Sequence, residues 1–145
     1  MSVRPGSDAA DGVAPIGSSI AGLEVGPVRQ TIDARWLMAY AAGLGETDPR
    51  YFDTTTEAGP LAHPLFPVCF EWPLAVAVRE KALDPAVAPR GVHAFHHLLI
   101  HRAPRAGDTL STTARVLAVR ARRAGTLVVV RYATVDESGR AVTTT

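Results

Sequence analysis

Cysteine occurs once in this chain, at Cys69, so no disulfide can close within it. Stability must come from a packed core, and a reducing cytoplasm is the expected compartment. Lysine also occurs once, at Lys81; the other basic side chains are all arginine. An excess of one charge sign is missing as well. The net charge of +1 makes no electrostatic case for nucleic acid or for an acidic membrane surface. No run of about 18 apolar residues exists, so no membrane-spanning helix is expected. The N-terminal stretch MSVRPGSDAADGVAPIGSSIAG lacks the continuous apolar centre of a signal peptide. There is no internal repeat. What remains is ordinary: 145 residues, 47% hydrophobic and 20% charged, enough for one soluble domain with a real core.

Residues 1–20 are rich in Gly, Ser, Ala, Pro and Asp and read as a flexible lead-in to a domain over 21–145. Residues 21–31 read as a short strand broken by Gly26-Pro27. In 33–45, Asp33 is a candidate N-cap for a helix that Gly43 or Gly45 ends. Residues 46–64 hold Pro49, Gly59, Pro60 and Pro64 and form a long loop of the kind that carries function. The stretch 65–83 is apolar on nearly every side as far as Val78, which predicts a buried helix. Pro73 requires that helix to begin near Trp72 or to bend there. After the loop 84–91, strands are expected over 92–102, 109–121, 126–136 and 141–145, joined by short turn-like links and paired as an antiparallel meander. The fold class is α+β, one helix wrapped by a curved antiparallel sheet. Trp36, Phe70 and Trp72 read as core. The last strand stops at Thr145 in mid-pattern, and one small curved sheet leaves an open edge. Both features lead one to expect a second module, either a partner chain or a C-terminal half.

The order of elements and the stretch 40-YAAGLGETDPRYFD-53 resemble the hotdog fold of the MaoC-like R-specific enoyl-thioester hydratases and 3-hydroxyacyl-thioester dehydratases. In that family a helix ending Y-A-x-x-x-G leads into D-x-N-P-x-H and a further acid. Tyr40, Ala41, Gly45, Pro49 and Asp53 match. The stretches 60-PLAHPLFP-67 and 101-HRAPRAGDTL-110 resemble the entry to the family's central helix and its turn between strands. The departures fall on the working positions. The catalytic Asp of the family falls on Glu46, the catalytic His on Tyr51, and the intervening Asn on Asp48. A tyrosine of ordinary pKa near 10 is a poor base at neutral pH. Glu46 keeps the charge at one methylene greater reach, and misplacement by about 1 Å can cost on the order of a hundredfold. The resemblance therefore implies the N-terminal, non-catalytic type of half. Such a half binds the acyl part of a 2-enoyl or 3-hydroxyacyl thioester, of coenzyme A or a carrier protein, in fatty-acid or polyketide metabolism. The intact Asp/His pair would lie on a homo- or hetero-oligomeric partner hotdog, and the chain alone would be weak or inactive.

No site is intact on this reading. The degenerate positions are Glu46 and Tyr51, for which helix-end capping and turn chemistry are the plainer explanation, as they are for Asp48 and Asp53. Asp48 and His63 are the candidate substitutes; His63 is a loop residue whose side-chain type titrates near pH 7. Leu61, His63, Leu65, Phe66 and Val68 are expected to line an acyl tunnel. Arg102, Arg105, Arg122 and Arg123 are solvated turn residues or phosphate contacts. His93, His97 and His101, four apart on a strand, would span too far to share one metal ion, so neither metal nor cofactor is expected. They are expected to line one strand face with Phe95 and Leu99, while Ala94, His96, Leu98 and Ile100 point toward the helix. Two other functions stay open: a hotdog thioesterase, for which Glu71 is the one acid in the first turns of the central helix, and an acyl-binding or interaction module without chemistry.

Overall fold

A computed structural model describes residues 16–145. Most of the expected lead-in, residues 1–15, lies outside the described residues. Its end is part of the fold: Ser18–Ile20 form a 3-10 turn, and Ile20 packs against the core. The elements follow as β1 (Glu24–Thr31), α1 (Ala34–Gly43), α2 (Pro67–Ala82), β2 (Leu99–Ile100), β3 (Thr109–Arg122), β4 (Gly125–Val135) and β5 (Ala141–Thr144). They build one five-stranded antiparallel sheet in the order β1-β3-β4-β5-β2, with α2 laid against β3 and β1.

The meander holds for β3, β4 and β5. It fails for the strand after the helix, which crosses to the far edge and pairs with β5 instead of β3. Only Leu99 and Ile100 pair there, against Thr144 and Thr143. Just past that pair the Val142 carbonyl accepts from the His101 and Arg102 N–H groups, at 2.9 and 3.3 Å. Residues 91–98 form no regular element, and Val92, His93, Ala94, Phe95, His96 and His97 are all exposed. The expected alternation, with His96 and Ile100 turned to the helix, does not occur: His96 is exposed and stacks obliquely on His93, and Ile100 is exposed too.

The helix that was to be buried all round is buried on one side. It begins at Pro67, in the first turn, and runs through Pro73, which lies within it rather than at its start. Phe70, Glu71, Leu74 and Val78 face inward. Val68, Trp72 and Val76 face outward, and Trp72 is 64% exposed although its type suggests core. A single sheet covers only one face of a helix. Close approach of that face is set by Gly26 (φ +102°), where an added Cβ would sit 2.8 Å from the Thr112 carbonyl and 3.0 Å from Leu74. The core has two lobes. One holds Ile32, Leu37, Phe66, Phe70, Leu110 and Val142; the other holds Val25, Leu74, Val78, Ala114 and Val116.

Candidate active site

Helix α1 delivers the first acid. Asp33 caps its start by accepting from the Trp36 N–H at 2.7 Å, as expected. Its end is a Schellman motif. Gly45 (φ +76°) donates to the Ala42 carbonyl and Glu46 to the Ala41 carbonyl, at 3.0 and 3.1 Å. Glu46 is thus held by its own backbone at a fixed point beyond the helix.

The loop delivers the second group. The Leu61 N–H donates to the Arg50 carbonyl and Phe66 N–H to the His63 carbonyl, which folds 60–66 back over 46–52. His63 Nε2 then lies 3.2 Å from Glu46 Oε1. On the other side of the ring, Nδ1 accepts from the Leu65 N–H at 3.1 Å. An accepting Nδ1 places the ring proton on Nε2, the nitrogen that faces Glu46. Both ring nitrogens are therefore engaged. Glu46 Oε2 has no partner among the described residues.

Aromatic rings enclose this pair. The centroids of Tyr51 and Tyr40 lie 5.5 and 5.9 Å from that of His63. Tyr40 donates its hydroxyl to the Leu65 carbonyl at 3.1 Å and packs edge-on against Phe66. Burial first, and Cys69 second, push the Tyr40 hydroxyl above its ordinary range. The sequence offered Tyr40 only as a matched family position; that it braces the loop carrying His63 depends on a contact 25 residues away.

The other acids of the loop serve its geometry. Asp48 caps a 3-10 turn at Pro49–Tyr51, accepting from the Arg50 N–H and guanidinium, and Arg50 holds its carboxyl below the usual range. Asp53 accepts from the Thr55 N–H and hydroxyl, which lowers its carboxyl likewise. These are turn chemistry. Of the expected tunnel residues, Phe66 lies in the core. It is fully buried among Trp36, Tyr40 and Phe70. Leu61, Leu65 and Val68 are surface residues in this chain.

The arginines divide. Arg102 is committed to Asp108, at 2.6 Å, and to Asp136, at 3.4 Å, and ties the crossing strand to the β4–β5 turn. Asp136 is held well below the carboxylate range by Ser138, the Arg140 and Ser138 N–H groups and the Arg140 charge. Arg105 lines a shallow recess with Thr56, Glu57 and Ala58, on the loop side of the molecule. Arg122 and Arg123 lie at the exposed tip of the β3–β4 hairpin. Burial pushes the Cys69 thiol up to about 11, which leaves it no thiolate for nucleophilic work at neutral pH.

Glu71 lies apart from all of this. It is 3% exposed, beneath α2, and accepts a hydrogen bond from the Thr145 hydroxyl at 2.6 Å. Burial pushes its carboxyl up to about 7 against that hydrogen bond. A carboxylate closed in this way does not meet a thioester, which counts against the thioesterase reading.

Similarity agrees with the geometry. The family profile for the FAS1-like dehydratase domain region matches residues 19–145. No curated protein sequence matches the chain. Among solved structures, the C-terminally truncated HadBC (3R-hydroxyacyl-ACP dehydratase) complex of Mycobacterium tuberculosis superposes with a TM-score of 0.68 at 19% identity, over 86% of this chain and 92% of that one. The R-hydratase PhaJ1 of Pseudomonas aeruginosa gives 0.56 at 19%, over 86% and 76%. A MaoC-like dehydratase of Phytophthora capsici gives 0.58 at 24%, over 87% of this chain and 44% of that one. With a curved antiparallel sheet against a central helix and a profile match along nearly its whole described length, the chain has the hotdog fold and belongs to the FAS1-like dehydratase domain family.

Proposed function

We propose that this chain is the acyl-binding half of a hydratase/dehydratase acting on a 2-enoyl or 3-hydroxyacyl thioester, and that a partner hotdog supplies the complete acid/base pair. The observation that carries the reading is the loop itself. Tyr51 stands where a base is needed, and the one histidine near it has both ring nitrogens occupied. Dehydration removes the C2 proton and protonates the departing 3-hydroxyl; hydration reverses both. The chain has one free carboxylate oxygen, Glu46 Oε2, to serve the hydroxyl or water. Among the described residues it has no second group placed to exchange the C2 proton.

The partner reading rests on exposed surface. Val68, Trp72 and Val76 stand on the open side of α2, and residues 91–98 form no strand beside β2. Apolar helix surface and a short open edge are what a second hotdog would cover. The HadBC complex is a relative in fold that assembles from more than one chain. In such an assembly Leu61, Leu65 and Val68 become tunnel walls rather than surface, with His63 and Glu46 at the polar end.

The purified chain should turn over crotonyl-CoA and longer 2-enoyl-CoAs far below the roughly 10 per second of competent enzymes. Turnover at that level by the chain alone would overturn the inactive-half reading. Light scattering at micromolar concentration should show association with itself or with a hotdog carrying an intact Asp/His pair.

A further inference from the structure

We propose that the outer face of the β3–β4 hairpin is a docking strip for a separate, acidic protein surface. From Thr109 to Val135 the chain has five arginines and no acid, whereas the rest of it carries ten basic side chains against fourteen acidic ones. The small net charge hides this division. All five arginines are exposed.

The register gathers four of them on one face. Arg115 lies directly opposite Arg131, Arg120 opposite Leu127, and Arg122 opposite Gly125. On a regular strand Arg115 would point one way and Arg120 and Arg122 the other. A bulge between Val116 and Ala118 shifts the alternation by one residue. Val116 and Val130, and then Val119 and Val128, remain on the helix side, while Arg115, Arg120, Arg122 and Arg131 share the outer side. The strip is about 20 Å long, six steps of β4 from Gly125 to Arg131 at roughly 3.3 Å each.

Nothing in the fold needs that arrangement. Like charges placed directly opposite each other on a sheet are destabilising. The one acid in reach among the described residues, Glu24 at 3.4 Å from Arg115, makes an exposed pair of small worth. Arg131 has no acidic partner among the described residues. The occupant follows from charge and shape. A duplex would meet the acidic remainder of the chain, and the strip has no aromatic side chain on which bases could stack. An anionic lipid surface calls for interfacial aromatics, and Leu117 is the sole large apolar side chain exposed there. A helix with Asp or Glu three or four residues apart presents carboxylates about 5–6 Å apart. That matches the cross-strand and next-but-one spacing of these guanidinium groups, which bind carboxylates as forks.

The test uses the full chain and a fluorescein-labelled, Glu-rich helical peptide at low salt. Arg120→Ser/Arg122→Ser should weaken peptide binding about tenfold and flatten its salt dependence. Arg35→Ser/Arg79→Ser, with the same change in net charge away from the strip, should leave binding unchanged. Arg131→Thr should lose binding while its melting temperature holds or rises. Equal losses in the two double variants would overturn the proposal, because bulk charge would then be what is read. Tighter binding to a DNA duplex or to phosphatidylglycerol vesicles, salt-sensitive self-association in place of peptide binding, or a lowered melting temperature for Arg131→Thr would overturn it as well.

Discussion

Two glutamates sit on either side of the helix–loop junction and have opposite surroundings. Glu46 is presented beyond α1 by a backbone motif, part-exposed, with a histidine at one oxygen. Glu71 lies under α2 at 3% exposure, with a threonine hydroxyl at one oxygen. The first is held where a ligand can reach it, and its geometry is set by main-chain hydrogen bonds that do not depend on its charge. The second is part of the core, so its charge is a stability problem before it is anything else. A carboxylate's use is decided by what solvates it, and the pair can be pulled apart by experiment.

The largest effect should come from Glu71 and pH. Its carboxyl rises from an ordinary 4.5 to about 7 in the folded chain. The folded state therefore binds this proton more tightly than the unfolded state. Below about pH 4.5 both states hold it and the contribution is complete; it is lost as pH rises to about 7 and is flat above. The loss is about 3 kcal/mol. Urea unfolding of the wild type at about pH 5 and about pH 8 should show it, and Glu71→Gln should flatten it. The same loss in Glu71→Gln would assign it to another group. Tyr132, which shares Glu71's surroundings, is pushed up by burial and then by Glu71, away from this window.

Next comes activity. Whatever hydratase turnover the chain has, or supports in a complex through its own loop, should fall about a hundredfold in Glu46→Gln, the low end of what one acid/base group contributes. Stability should change by under about 1 kcal/mol, since the Schellman bonds are main-chain. His63→Ala should fall less than Glu46→Gln, because it removes orientation and leaves the carboxylate. A larger loss in His63→Ala would make His63 the base and overturn the order of roles.

The unequal legibility of these regions has physical reasons. The α1 cap, the helix end at Gly45 and the three-strand meander follow local rules, and Asp33, Gly45 and the short turn after Val135 carry those rules in plain sequence. The crossing of β2 to the far edge does not: its partner is β5, distant in sequence, and no residue in 92–102 marks it. Trp72 and Phe70 show the same limit inside one helix: both are large aromatics two residues apart, and only the position of the single sheet decides that one is core and the other surface. The Glu46–His63 contact joined a degenerate position to a candidate substitute, yet the ring orientation of His63 rests on the Leu65 N–H, which has no sequence signal.

The smallest effects come from two threonines that the sequence cannot tell apart. Thr143 and Thr145 stand two apart on the β5 side of the sheet, both toward α2. The Thr145 hydroxyl donates to Glu71, whereas the Thr143 hydroxyl is buried without a partner among the described residues. Valine has nearly the shape of threonine, so each substitution removes a hydroxyl and little else. Thr145→Val strips the hydrogen bond that lowers the Glu71 carboxyl, so the pH at which stability falls should move upward. Above that pH the variant should be about 1–2 kcal/mol less stable, the cost of a charged acceptor left unmade. Thr143→Val removes a buried group that bonds to nothing and should be neutral or stabilising by about 1 kcal/mol at every pH. If the two variants unfold alike across the pH range, the hydroxyl on Glu71 does not distinguish them, and the carboxylate under α2 must be solvated by some other group.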